Sequence, residues 1–111
     1  MSEATSILAQ LMATIEDRRA SPPPNSYTAK LMEGGISKIR AKLIEEAAEV
    51  FEAAAEPGDE GKAHLLYEAG DLIYHLFVLL GQREISFAEL EAELARRFNV
   101  SGLDEKASRK N

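Results

Sequence analysis

The sequence predicts an all-α fold, a bundle of four to five helices, and three observations carry that prediction. Apolar residues recur at helical spacing through nearly the whole chain. β-branched residues are few and scattered, so no segment reads as a strand. Breakers are concentrated at Pro22-Pro23-Pro24, Gly34-Gly35 and Pro57-Gly58, which separate long periodic segments. With 111 residues the chain is expected to be one domain over 1–111, because two halves would each be too small for a core.

Each element has its own warrant. Residues 3–19 carry Ile7, Leu8, Leu11, Met12 and Ile15 on one face, with Ser2 as the expected N-cap. The prolines then stop the helix, since they lack backbone donors and favour extended backbone. That rigid strap positions whatever follows it, and a short helical turn is expected over 28–33, closed by Gly34-Gly35. A long helix is expected over 37–55. Ile36, Ile39, Leu43, Ala47, Val50 and Ala54 form its apolar face, and Lys42, Glu45, Glu46, Glu49 and Glu52 the next face. Pro57-Gly58-Asp59 ends it. Residues 60–82 are apolar nearly all round, and such a helix must be covered on most sides. So short a chain covers it poorly alone, which predicts a homodimeric core. A last helix over 86–97 starts at Ser86, with Glu89 completing a capping box and Leu90 and Leu94 facing inward. From Asn99 the tail has little apolar content, and composition alone makes it mobile.

Composition narrows the function. The absence of cysteine excludes a disulfide scaffold, a thiolate zinc site and a cysteine nucleophile. Nineteen acidic against thirteen basic residues give a net charge of −6, and no basic stripe interrupts it, so nucleic acid is not an expected partner. No signal peptide is expected, and the longest apolar run, from Leu72 to Leu80, is about half a membrane span. A soluble, cytoplasmic protein without a membrane partner is expected. An anionic substrate would then need divalent cations to bring it to an acidic protein.

Two acidic clusters supply the cation site. Glu45, Glu46 and Glu49 fall within about a third of the helix surface at roughly 100° per residue, with Lys42 in the same arc and Glu46 at the edge of the apolar face. On the next helix, His64, Glu68, Asp71 and His75 make the one polar stripe of an otherwise apolar element. Unpartnered carboxylates there cost several kcal/mol, which argues against chance placement. The 18 residues between Glu49 and Glu68 include the Pro-Gly turn, so an antiparallel hairpin can bring the clusters face to face. Glu46, Glu49, Glu68 and Asp71 together suit Mg²⁺, with Mn²⁺ as a substitute. Such ions bridge phosphate oxygens and acidify a water, which Glu45 could orient or deprotonate. A di-iron site would want Glu-x-x-His pairs, and Gly61 and Leu72 stand three before His64 and His75. Glu-Glu-x-x-Glu alone is more often a solvated helix face, and the acids on the apolar helix bring the functional reading level with that one. His75 alone is more often a core histidine satisfied by a neighbour; as part of this stripe it is also a substrate-binding candidate.

Glu45-Glu46-x-x-Glu49 followed by Glu68-x-x-Asp71 resembles the signature of the all-α nucleoside triphosphate pyrophosphohydrolase (MazG-like) superfamily. Within it, Ser26-Tyr27-Thr28-Ala29-Lys30-Leu31, KLIEEAAE from Lys42, EAGDLIYHLFVLL from Glu68 and the tail from Ser101 to Arg109 are similar to phosphoribosyl-ATP pyrophosphohydrolase of histidine biosynthesis. The resemblance covers nearly the whole chain. It implies Mg²⁺-dependent cleavage of the α–β phosphoanhydride of phosphoribosyl-ATP, giving phosphoribosyl-AMP and pyrophosphate. It further implies Glu46, Glu49, Glu68 and Asp71 as metal ligands and Glu45 in support. Ser26, Tyr27 and Thr28 would face the substrate, with Lys30, Lys38, Arg40 and Lys42 as candidates to hold phosphates. The family's ending argues that the tail orders on dimerisation or substrate binding. A house-cleaning hydrolase of free nucleotides would use the same metal site, and a non-enzymatic helical dimerisation module would need none.

Overall fold

The computed structural model describes residues 6–98; the Ser2 cap and the tail from Asn99 fall outside them. Within that range the chain is five α-helices, and among the described residues there is no strand. They are α1 (Ile7–Ala20), α2 (Tyr27–Glu33), α3 (Gly35–Ala54), α4 (Gly58–Gln82) and α5 (Phe87–Arg97). The boundaries follow the local chemistry. The Ser6, Ser26 and Ser86 side chains accept from the amides of Ala9, Ala29 and Glu89, and the Glu89 carboxylate in turn accepts from the Ser86 amide. The first helix thus starts at Ile7 behind Ser6 and not at Glu3. Gly35 (φ +80°) takes the chain from α2 directly into α3 with a backbone that other residues rarely adopt.

The principal packing is the α3–α4 hairpin, with α1 and α2 laid across it. Met12, Ile15, Leu31, Met32, Ile39, Phe77 and Val78 form the core, with Leu11, Leu43, Tyr74 and Leu90 among the residues packed against it. Gly81 permits the close approach of α1, since a Cβ there would lie 2.7 Å from Ile15 Cγ2. This core draws on the Ile39 end of α3 and the Phe77 end of α4.

Three expected core faces are corrected. On α1, Ile7 and Leu8 are exposed, because only the turns carrying Met12 and Ile15 face the hairpin. On α3, Ile39, Glu46 and Ala53 are the buried positions, whereas Ile36 and Ala54 are exposed. A seven-residue interval keeps a stripe facing an antiparallel partner better than a straight 3.6-residue pattern does. Glu46 therefore sits in the middle of the buried line, not at its edge. On α5, Leu90 packs inward while Leu94 is exposed. α4 is not covered all round within one chain: Leu66 is 75% exposed, as is Phe51 of α3 at 76%. Among the described residues no helix is long and apolar enough to cross a membrane.

Candidate functional site

The hairpin brings the two acidic clusters together. Glu46, Glu68 and Asp71 each present a carboxylate oxygen within 4.8 Å of the others, and Glu45, Glu46 and Glu49 do the same along α3. Glu46 belongs to both groups and joins the two helices. It is 4% exposed and Glu68 is 8% exposed, and Oε1 of each is buried with no hydrogen-bond partner. Leaving a buried polar atom unsatisfied costs about 1–3 kcal/mol, more for a charged one. A pair of such oxygens in one carboxylate cluster matches the hard, oxygen-seeking chemistry of a divalent cation. Asp71 and Glu49 are half-buried and Glu45 is exposed, so the site opens to solvent on the α3 side.

Burial pushes the Glu46 carboxyl up to about 7, with the carboxylates of Asp71, Glu49 and Glu68 adding to it and Lys42 opposing. Its folded value lies above the ordinary 4.5, so the folded state binds the proton more tightly. The stability this provides is complete below about pH 4.5 and is lost as pH rises through about 7. His64, also raised, acts in the same sense nearer neutrality. The metal-free protein in chelator should therefore melt at a lower temperature at pH 8 than at pH 5.5, and Glu46→Gln should flatten that slope, as followed by circular dichroism. An unchanged slope in the variant would show that Glu46 is not the group responsible.

Lys42 bonds Glu45 Oε1 at 3.3 Å and stands 3.8 Å from Glu46. Burial pulls its ammonium down, but the Glu45 hydrogen bond and the nearby Tyr27 and Glu46 outweigh that and leave it raised. It is thus a fixed positive charge on the rim of the carboxylates.

The start of α2 closes the other side. Tyr27 is half-exposed, and its hydroxyl lies 3.0 Å from His75 Nε2. His75 Nδ1 lies 2.8 Å from the Asp71 carbonyl, which can only accept, so in the neutral ring Nε2 accepts the Tyr27 proton. The Thr28 hydroxyl bonds Tyr74, and the Tyr27 and Tyr74 rings stack at 6.3 Å. Burial lifts the Tyr27 hydroxyl above its usual value against the pull of Lys42.

The predicted site residues therefore divide. Glu45, Glu46, Glu49, Glu68 and Asp71 form two groups that share Glu46, Lys42 is ion-paired to Glu45 and Glu46, and Tyr27 lies within electrostatic reach of Lys42 and Glu46. Ser26 spends its side chain on the α2 cap, and His75 is buried with both ring nitrogens engaged. Lys30, Lys38 and Arg40 are exposed on α2 and α3. Sequence reasoning missed Tyr74 and Glu56. Tyr74 lay unnoticed beside His75, and Glu56 reaches its partner only through the geometry of the α3–α4 turn.

Residues 8–98 match the family model described as phosphoribosyl-ATP pyrophosphohydrolase. The chain belongs to the phosphoribosyl-ATP pyrophosphohydrolase family. Among its relatives, a phosphoribosyl-ATP pyrophosphatase of Rhodopirellula baltica is 53% identical over 98% of this chain and 91% of its own. One from Novosphingobium aromaticivorans is 51% identical over 95% of both chains. A third, from Dinoroseobacter shibae, is 47% identical over 94% of this chain and 99% of its own. The family match spans all five helices, so the carboxylate hairpin and the Tyr27 segment both lie inside it.

Proposed function

We propose that the chain hydrolyses phosphoribosyl-ATP to phosphoribosyl-AMP and pyrophosphate, in histidine biosynthesis. The observation that carries this reading is the family match over residues 8–98, supported by relatives named for that substrate. The buried, unpartnered Glu46 and Glu68 oxygens favour it over a dimerisation module, which has no use for them.

Glu46, Glu49, Glu68 and Asp71 hold a divalent cation, Mg²⁺ in this reading, with Mn²⁺ able to substitute. When bound, it neutralises phosphate charge and makes a water more acidic. The chain's own groups do the rest. Lys42 holds a phosphate oxygen at the rim, and Tyr27 and Thr28 line the approach from α2. Glu45, exposed and adjacent, takes a proton from the attacking water. The water oxygen bonds to phosphorus, the α–β anhydride P–O bond breaks, and pyrophosphate leaves. His75 acts from behind by holding the Tyr27 hydroxyl against α4. The exposed apolar residues of α3 and α4 pack against a second copy of the chain, which makes the working form a homodimer. A cytoplasmic location accompanies this pathway.

The test is pyrophosphate release from phosphoribosyl-ATP with and without Mg²⁺, beside ATP, dATP and dUTP. Mg²⁺-dependent release from phosphoribosyl-ATP, with little from the others, is expected. Release from the free nucleotides instead would move the protein to house-cleaning hydrolysis with the same metal site.

A further inference from the structure

We infer that His64 is a positioning residue for Glu68, anchored in turn by Glu56 across the α3–α4 turn. The inference rests on the cation site proposed above and deepens it. His64 lies one turn before Glu68 on α4, and its Nε2 is 3.0 Å from Glu68 Oε2. Its Nδ1 is 3.0 Å from both carboxylate oxygens of Glu56. With carboxylate oxygens on both sides, the ring is held in plane by a contact at each nitrogen.

The effect on Glu68 is selective. One oxygen, Oε2, is bound by the imidazole, while the other, Oε1, is the buried one without a partner. The histidine thereby fixes the carboxylate rotamer and leaves Oε1 without a protein partner, in a residue that clusters with Glu46 and Asp71. This is the arrangement by which outer groups orient ligands, and its loss typically weakens metal binding about 10–100-fold.

Glu56 depends on a glycine. It belongs to no helix and reaches His64 only because the turn lies against α4. A Cβ on Gly61 would stand 2.2 Å from the Glu56 carbonyl oxygen and 2.9 Å from its Cβ. Only a residue without a side chain admits that approach. Gly61 is also one turn before His64, on the same face, so the tight turn delivers the Glu56 carboxylate to the imidazole. As stabilising ion pairs these contacts are worth little, because His64 and Glu56 are each more than 40% exposed. Their consequence is orientation.

Calorimetric titration of the chelator-stripped full-length chain with Mg²⁺ tests this, using His64→Leu, His64→Gln, Glu56→Gln and, for reference, Glu68→Gln. His64→Leu should weaken Mg²⁺ binding about 10–100-fold. His64→Gln, whose amide donor can take the place of Nε2, should recover most of it. Glu56→Gln should show a smaller loss of the same sign, and it gives the same reading should His64→Leu fail to fold. In turnover, His64→Leu should raise the Mg²⁺ requirement and leave KM for phosphoribosyl-ATP unchanged at saturating Mg²⁺. Metal-free melting temperatures should move by only a few degrees. Mg²⁺ binding in His64→Leu as tight as wild type or tighter, with binding lost in Glu68→Gln, overturns the positioning role alone. Undiminished binding in Glu68→Gln overturns the cation site and the positioning role together.

Discussion

Glu46→Gln should make the metal-free protein more stable and nearly inactive at once. The amide replaces a carboxylate that is 4% exposed and faces Glu68 and Asp71 across the hairpin. Its N–H groups can donate to those neighbours, so a repulsive contact becomes an attractive one. A rise of several degrees in the melting temperature of the metal-free protein follows at pH 8, where the wild-type group is ionised. Turnover should fall by roughly 10²–10³-fold, the usual cost of removing one preorganised group that stabilises developing charge. Stabilisation of the wild type by Mg²⁺ follows mass action and should be largely lost in the variant. Thermal melts with and without Mg²⁺, beside the pyrophosphate assay, check all three. A variant that melted lower without metal and still responded to Mg²⁺ would remove Glu46 from the ligand set.

Leu31→Ala should have the opposite signature. Leu31 is fully buried where α2 meets the core, and deleting its side chain leaves a cavity in the cluster it shares with Met12, Ile15 and Val78. Leucine-to-alanine changes at such sites cost about 2–5 kcal/mol. For a chain of this size that is a drop in melting temperature of about 10 °C or more. The carboxylate hairpin does not depend on this side chain, so the rise in melting temperature on adding Mg²⁺ should persist. α2 also carries Tyr27 and Thr28, so KM should rise as that helix loosens. An undiminished melting temperature would mean that α2 is not integral to the core.

These two residues also show what a reader of the sequence can and cannot see. The Ser86 cap, the Gly34-Gly35 pair and the Pro-Gly turn act within a few residues of themselves, so α2 to α5 were legible to within about two residues at each end. Meeting of the acidic clusters was legible too, because the 18 residues between Glu49 and Glu68 include one turn and allow an antiparallel hairpin. Which side of a helix is buried depends on its partner. Ile36 and Ala54 lie off the buried line of α3, which repeats every seven residues through Ile39, Glu46 and Ala53, and α5 packs inward at Leu90 while Leu94 is exposed. Ser6 was passed over as a cap because Ser2 satisfied the same local pattern earlier. The link from His64 to Glu56 could not be read at all, since it rests on how closely one turn approaches at Gly61.

The α3–α4 hairpin has a consequence for how the protein assembles. Only residues 55–57 separate its helices, so closing it loses little chain entropy, and contacts of short sequence separation form fastest. The acidic clusters lie on those two helices and not on distant parts of the chain. Contact order alone therefore predicts that the like charges meet early, before most of the other helices have docked. The repulsion is felt on the climb to the folding barrier as well as in the native state. Counterions present during folding are therefore expected to influence the route to the fold, not only its endurance.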